Sequence, residues 1–380
     1  MKIYYNQNVW DAALERIRFI YDHEQNIYVS SSGGKDSVIM VELAIKVAKE
    51  KGRLPVDVCF LDQESEYQAT IDYFRKLGQR PEVRLHWFQV PFNLNNVTTL
   101  RDDSLWMRCW HEDEKDKWIR PHEPNAITNM DDLIAGREID FYQLCDLMGD
   151  YIFGKDSRYV ALIGMRAQES LKRYILMNQK YNKPCYFDKT WASKGHRENT
   201  WKLYPIYDWC VSDVWKAISN NKWSYNEMYD KMFKLGIPAA QMRVSSIIHE
   251  TGIHGLKFLQ QAEPKTFDRL VNRIGGINTY NQLYKKDGTY TIHKLPVMFK
   301  DWSEYRDYLL EHICSPKNKE LFTKSFGKDL ATDNLDLIKA QIKTILLNDV
   351  CLTVYGNAKK GVKNKQINKK WEEFNKKAKK

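Results

Sequence analysis

No stretch of the 380-residue chain approaches the roughly 20 uncharged apolar residues needed to cross a bilayer, and its first residues, Met1-Lys2-Ile3-Tyr4-Tyr5-Asn6, are too polar for a secretory leader. These absences predict a cytoplasmic protein with no membrane partner. Cysteine is sparse and scattered: Cys59, Cys109, Cys145, Cys185, Cys210, Cys314 and Cys351 form no C-x-x-C pair. That spacing argues against a disulfide framework, an iron–sulfur cluster or a zinc ribbon. Cys59, inside Val58-Cys59-Phe60-Leu61, reads as a small buried hydrophobe. Cys109 and His111 have no neighbours to complete four zinc ligands, and His249 and His254 are one residue too far apart for a zinc-protease helix. The Gly-x-x-x-x-Gly-Lys pattern of a Walker A loop is also missing from the glycine-rich segment considered below.

What remains is enough for a large core: 43% hydrophobic residues, with 13% aromatic. The length favours two or three domains. The net charge of +10 is uneven, because residues 358–380 carry ten Lys against Glu372 and Glu373. Such a basic tail either contacts nucleic acid or is a solvated, frayed end.

The first half alternates two periodicities. Asn8 can cap a helix through about Asp22, with Val9, Ala13, Ile17 and Ile20 on one face. Strands are predicted at Asn26–Ser30, Val56–Leu61, Val83–Val90 and Tyr159–Ile163, separated by helices near Ser37–Lys51, Glu66–Leu77 and Glu169–Met177. Strands joined through helices predict an α/β fold: a Rossmann-like parallel sheet flanked by helices. Helices are predicted at Val211–Ser219, Asn226–Leu235, Pro264–Ile274, Trp302–His312 and Leu335–Tyr355. The expected organisation is an α/β domain over 1–255 with a Trp/Arg-rich insertion at about 92–157, a mainly helical unit over 256–356, and the basic tail from 357.

Between the first strand and its helix stands Ser31-Ser32-Gly33-Gly34-Lys35-Asp36-Ser37. Two glycines let the backbone curl around an anion with its amides turned inward, and the helix start adds partial positive charge. Lys35 supplies a full charge, and Ser32 and Ser37 supply hydroxyl donors. In open α/β sheets ligands bind beyond the carboxyl ends of the strands. The segments leaving the other strands bring Asp62 and Glu64, then Pro91-Phe92-Asn93, then Gly164-Met165-Arg166 with Glu169 and Arg173, to that same rim. Asp62, assisted by Glu64, can bind Mg²⁺ or a ribose hydroxyl, or cap the following helix. Arg166 can clamp an anion through two nitrogens, with Glu169 holding it. In the insertion, Trp106-Met107-Arg108-Cys109-Trp110 and Trp118-Ile119-Arg120-Pro121 form either a recognition surface or an aromatic cover for the sheet.

Ser32-Gly33-Gly34-Lys35-Asp36-Ser37 resembles the pyrophosphate-binding loop (PP-loop) of the adenine nucleotide alpha-hydrolase superfamily of ATP pyrophosphatases. Gly164-x-Arg166-x-x-Glu169-Ser170 is similar to the second signature of its phosphoadenosine phosphosulfate (PAPS) reductase-like family. Val211-Ser212-Asp213-Val214-Trp215 resembles a downstream segment of that family, with Val211 where Thr is more usual. Gln7-Asn8-Val9-Trp10, the tryptophan insertion, Glu263-Pro264 and Arg273 to Asn278 look like the bacterial and phage branch of immunoglobulin-binding regulator A. The resemblance implies ATP or a related adenine nucleotide as ligand, Mg²⁺ as cofactor, and a ParB-like partner.

The family's reductases attack through a cysteine in a C-terminal Glu-Cys-Gly-Leu-His motif, which this chain lacks. The expectation is therefore an ATP-splitting adenylyl transfer to a sulfur-containing or nucleic-acid-linked acceptor, with Lys35, Asp62 and Arg166 as catalytic residues. Sulfonucleotide reduction is one alternative; a nucleotide-sensing module that binds nucleic acid through 358–380 is another.

Overall fold

Side-chain alternation along the first strands explains how the sheet is covered. In the computed structural model, Ile27 and Val29, Val58 and Phe60, and Val160 and Leu162 point into one hydrophobic cluster with helical residues such as Ile17, Val41 and Phe74. Tyr28 and Tyr159 point to the other face, where the ring of Phe153 lies 6.4 and 5.9 Å away. Both faces are buried, so these strands read as nearly continuous apolar runs.

The structure describes residues 6–96, 106–178, 186–239, 241–244, 247–248, 255–274, 277, 294–346, 349–350, 352 and 354–364. The described strands are β1 (Ile27–Ser30), β2 (Val56–Leu61), β3 (Val83–Phe88), β4 (Phe92–Asn95), β5 (Trp106–Cys109), β6 (Tyr159–Ile163), β7 (Ala192–Lys194) and β8 (Thr200–Leu203). Helices in the first part are α1 (Val9–His23), α2 (Lys35–Glu50), α3 (Gln68–Gly78), α4 (Asp131–Ile134), α5 (Phe141–Phe153), α6 (Leu171–Asn178), α7 (Val211–Asn221), α8 (Met228–Lys234), α9 (Leu256–Ala262) and α10 (Pro264–Arg273). Three more follow: α11 (Trp302–His312), α12 (Pro316–Phe326) and α13 (Leu335–Leu346).

The main sheet has the order β3-β2-β1-β6-β8-β7. The pairings β3–β2, β2–β1, β1–β6 and β6–β8 are parallel; only edge strand β7 runs antiparallel. The expected α/β sheet is present, extended by a β7–β8 hairpin whose strands are too short and polar to show in the sequence pattern. From β1 the chain crosses to β2 on one side, while β6 lies on the other. That reversal opens a crevice at the carboxyl ends of β1 and β6, where ligands of such sheets bind. Ser30 pairs with Cys59 on one side and Ile163 on the other, so Ser31 and Gly164 leave the sheet side by side.

The chain divides into two compact units: Met1–Leu94 with Arg108–Ile247 and Phe258–Arg269, and Asn95–Met107 with Ile248–Lys257 and Leu270–Lys380. In the second unit α11, α12, α13 and residues 354–364, also helical, enclose Leu309, Phe322, Phe326, Ile342 and Tyr355. The basic tail begins in ordered helix: Lys359 pairs with Asp329 at 2.6 Å. Residues 365–380, most of that tail, lie outside the described residues, as do the histidine pair His249 and His254.

Candidate functional site

Beyond Ser30 the backbone turns at Gly33 with φ +70, a conformation that glycine adopts without strain. A Cβ there would also stand 3.1 Å from Phe74 and 3.2 Å from Thr70. Helix α2 starts at Lys35, two residues earlier than the serine-based expectation, because Gly34 takes the N-cap position with extended backbone. A glycine cap has no side chain to satisfy the first turn's amides. Lys35 N–H donates to the Tyr229 hydroxyl at 2.9 Å, and Gly33 N–H reaches Ser31 Oγ at 3.4 Å. Among the described residues, no hydrogen bond uses the amides of Ser32, Gly34, Asp36 or Ser37. The hydroxyl of Ser31 donates to Ser37 Oγ at 3.3 Å, and that of Ser37 to the Gly34 carbonyl at 2.9 Å, which fixes the curl.

The strand β6 exit closes on this loop from the side. Gly164 runs so near α2 that a Cβ would sit 2.4 Å from the Asp36 carbonyl oxygen. Two residues on, Arg166 is buried and its Nε donates to Asp36 Oδ1 at 2.6 Å. Glu169 accepts from Arg166 N–H at 3.3 Å and pairs with Arg173. Lys35 is 5% exposed; its ammonium donates to the Met242 carbonyl at 3.0 Å and lies 4.0 Å from Asp36. Burial pushes its pKa below the ordinary value, Asp36 holds it up, and the charges of Arg166 and Arg243 add to the fall. Arg243 also acts on Arg173. Four cations, Lys35, Arg166, Arg173 and Arg243, thus surround two carboxylates, Asp36 and Glu169. Ser32 is exposed and Gly34 and Asp36 are half-buried, so the loop keeps an approach from solvent.

Asp62 sits on the same rim but is spent on structure, which corrects its expected role as a Mg²⁺ or ribose ligand. It is fully buried, and its carboxylate accepts from Glu64 N–H at 2.9 Å, Trp87 Nε1 at 2.8 Å, Gln89 Nε2 at 2.9 Å and the Arg120 guanidinium. Four donors use about all the lone pairs a carboxylate has. Glu64 is likewise buried and accepts from the amides of Trp110 and Ile119, each at 3.2 Å. Neither carboxylate presents a hard oxygen edge to a cation, so the fit to Mg²⁺ fails here. Among the described residues, no group of three His, Cys, Asp or Glu side chains is gathered to hold a metal.

Three residues escaped the sequence reading. Tyr229 and Arg243 come from a stretch about 200 residues downstream of the loop, with no motif to mark them. Arg120 was read only as part of an aromatic patch, whereas it is the counter-charge of Asp62. Trp110 proves to be a sheet cover: it is 1% exposed and its indole donates to the Asp62 carbonyl at 2.7 Å. Trp118 is half-buried, with its ring centroid 4.4 Å from that of His122.

Comparisons with known proteins bear on the same segments. The phosphoadenosine phosphosulfate reductase domain model matches residues 26–282, and a domain of unknown function (DUF3440) matches residues 236–370. The uncharacterized protein YbdN of Escherichia coli strain K12 is 28% identical over 310 residues, which is 80% of this chain and 75% of that one. An adenosine 5'-phosphosulfate reductase of Oceanobacillus iheyensis is 21% identical over 207 residues, 54% of this chain and 66% of that one. Among solved structures, a PAPS reductase from Candida auris in a phosphate complex superposes with a TM-score of 0.30 at 13% identity, covering 60% of this chain and 93% of that chain.

Proposed function

Since the chain belongs to the phosphoadenosine phosphosulfate reductase domain family, we propose that it binds ATP at Ser31–Ser37 and transfers the adenylyl group to an acceptor, releasing pyrophosphate. The observation that carries this reading is the set of amides at Ser32, Gly34, Asp36 and Ser37 without acceptors among the described residues, beside the four cations Lys35, Arg166, Arg173 and Arg243. Amides of this kind at a helix start stabilise phosphate oxygens without reorganising.

In the proposed step a nucleophilic atom of the acceptor bonds to the α-phosphorus. The bond from that phosphorus to the bridging oxygen breaks, and pyrophosphate leaves with the electron pair. The loop amides and Lys35 hold the β and γ phosphates. Arg166 and Arg243 offset charge gathering on the phosphoryl oxygens, with Arg166 aimed by Asp36 and Glu169. Arg173 acts through Glu169 as a positioning residue. Tyr229 caps the Lys35 amide until a phosphate oxygen replaces its hydroxyl. No step is routed through a protein-bound Mg²⁺. Reductase chemistry is the weaker reading, because the segments around the loop (31–37, 164–173 and 226–244) contain no cysteine to attack sulfur.

Calorimetric ATP binding and release of labelled pyrophosphate test the proposal. Lys35→Ala should weaken ATP at least tenfold, because it removes a charge-assisted contact of about 1.5–3 kcal/mol. Unchanged ATP affinity in both Lys35→Ala and Arg243→Glu would remove the loop from the reaction.

A further inference from the structure

A second ligand site can be read from the insertion. A cleft of about 580 Å³ is lined by Lys115, Trp118, Arg120, His122 and Arg269, with Ile119 beside them. Three of these are cations, and none of the lining residues is a carboxylate. Arg120 is 8% exposed; its terminal nitrogens hold Asp62 and the Glu64 carbonyl, yet its Nε is buried without a hydrogen-bond partner. The Nε2 of His122 is buried and unpartnered as well. Buried polar atoms without partners cost free energy, so a ligand group that displaces the side chains covering either nitrogen gains a hydrogen bond there.

The wall between these polar atoms is aromatic: Trp118 packs against His122, and the Lys115 ammonium rests over the indole at 5.4 Å. Among the described residues Lys115 otherwise pairs with Glu112, an exposed pair at 3.1 Å that holds it weakly. Its long side chain can therefore follow an anion. Through Arg120 the cleft is fixed to Asp62 at the carboxyl end of β2, the strand that pairs with β1.

Resting on the adenylyl-transfer reading, we propose that this cleft holds the acceptor, and that the acceptor is a small molecule joining a planar ring to a phosphate or carboxylate. The ring stacks on Trp118, the anionic group meets Lys115 and Arg269, and the buried nitrogens of Arg120 and His122 bond to its polar edge.

The test uses calorimetry on the full chain with uridine monophosphate, chosen because it lacks adenine. Uridine, inorganic phosphate and ATP are titrated in parallel. Uridine monophosphate should bind at least about tenfold more tightly than either fragment, since stacking and charge act together. Trp118→Ala should weaken it about tenfold or more, and Arg269→Glu by a similar factor that shrinks as salt rises. Arg269 is exposed, so its replacement tests the cleft even where Trp118→Ala disturbs folding. ATP affinity should not change in either variant.

The proposal is overturned if uridine monophosphate binding is lost in Lys35→Ala but kept in Trp118→Ala, which places the ligand in the glycine loop. It is also overturned if wild-type protein that binds ATP ignores the probe. Trp118-dependent binding of the probe by protein that does not bind ATP would sink the adenylyl reading instead and leave the cleft standing.

Discussion

Replacing Gly164 by alanine places one methyl group between the β6 exit and the first turn of α2. Its Cβ would stand 2.4 Å from the Asp36 carbonyl oxygen, 2.6 Å from the carbonyl carbon and 2.8 Å from the Ser37 nitrogen. All three atoms are backbone in the first turn of α2, so no rotamer change relieves the contact. Nor can the β6 end slide away, because Ile163 is held in register with Ser30. Overpacking of this kind costs about 1–3 kcal/mol, and a backbone-on-backbone clash belongs at the upper end. A loss of about 3 kcal/mol lowers the melting temperature by roughly 6–12 °C in a unit of this size. Any shift that relieves the clash moves Asp36 and Ser37, two of the free amides, so ATP affinity should fall about tenfold as well. Gly361→Ala is the control: it lies in the 354–364 helix with nothing within 4 Å of the new Cβ and should stabilise by about 0.5–1 kcal/mol. Urea unfolding and calorimetry read both effects. A Gly164→Ala protein within about 0.5 kcal/mol of wild type and with unaltered ATP affinity would refute the close-approach argument.

Tyr229→Phe removes the hydroxyl that accepts from the Lys35 amide while keeping the ring beside the ammonium. One fewer bond to displace should tighten ATP about two- to tenfold by equilibrium dialysis; weaker binding would mean that the hydroxyl serves the bound state. Burial, with Asp62 second, holds the Glu66 carboxyl protonated up to a pKa of about 8, against an ordinary 4.5. The folded chain then keeps a proton that the unfolded chain has released, so stability falls as pH rises between these values and levels off above 8. Glu66→Gln should lose that slope and gain roughly 2–4 kcal/mol over wild type between pH 5 and pH 8 in urea melts; parallel curves would place the titration elsewhere. Asp62→Asn strands the buried Arg120 charge and should cost about 3–5 kcal/mol in the same melts, whereas a Mg²⁺ ligand on an open rim would leave stability nearly unchanged.

The central strands were legible because burial on both faces writes itself as an unbroken apolar run; Val56–Leu61 and Tyr159–Ile163 match to the residue. Strands β7 and β8 were not. Ala192-Ser193-Lys194, the edge strand, and Thr200-Trp201-Lys202-Leu203 beside it are only three and four residues long and carry polar residues such as Ser193 and Lys202, too little apolar pattern to mark a strand. The curl of the loop was legible because two glycines between a strand and a helix mark a tight turn, and Gly33 indeed takes φ +70. Its cover was not. Tyr229 and Arg243 reach Lys35 only after the chain has crossed the sheet, and no local periodicity encodes that return. Asp62 shows the opposite failure: the rim position was right and the chemistry wrong, because the arginine that occupies it lies 58 residues on.

That misplaced carboxylate changes how the rim works. If Asp62, Glu64 and Glu66 faced the crevice, they would repel any anion bound at the glycine loop one strand away. Instead Asp62 and Glu64 are turned inward onto Arg120, indole and amide donors, and Glu66 keeps its proton near neutral pH. The acids at the β2 exit therefore add little negative field at the surface. Cations then outnumber carboxylates at two places, the Lys35–Arg166–Arg173–Arg243 cluster around Asp36 and Glu169, and the Lys115–Arg269 cleft, where Glu112 pairs with Lys115. A field of that shape suits two anionic ligands brought to one sheet edge. It also keeps the repulsion between them from being reinforced by the protein, which the proposed transfer from one to the other requires.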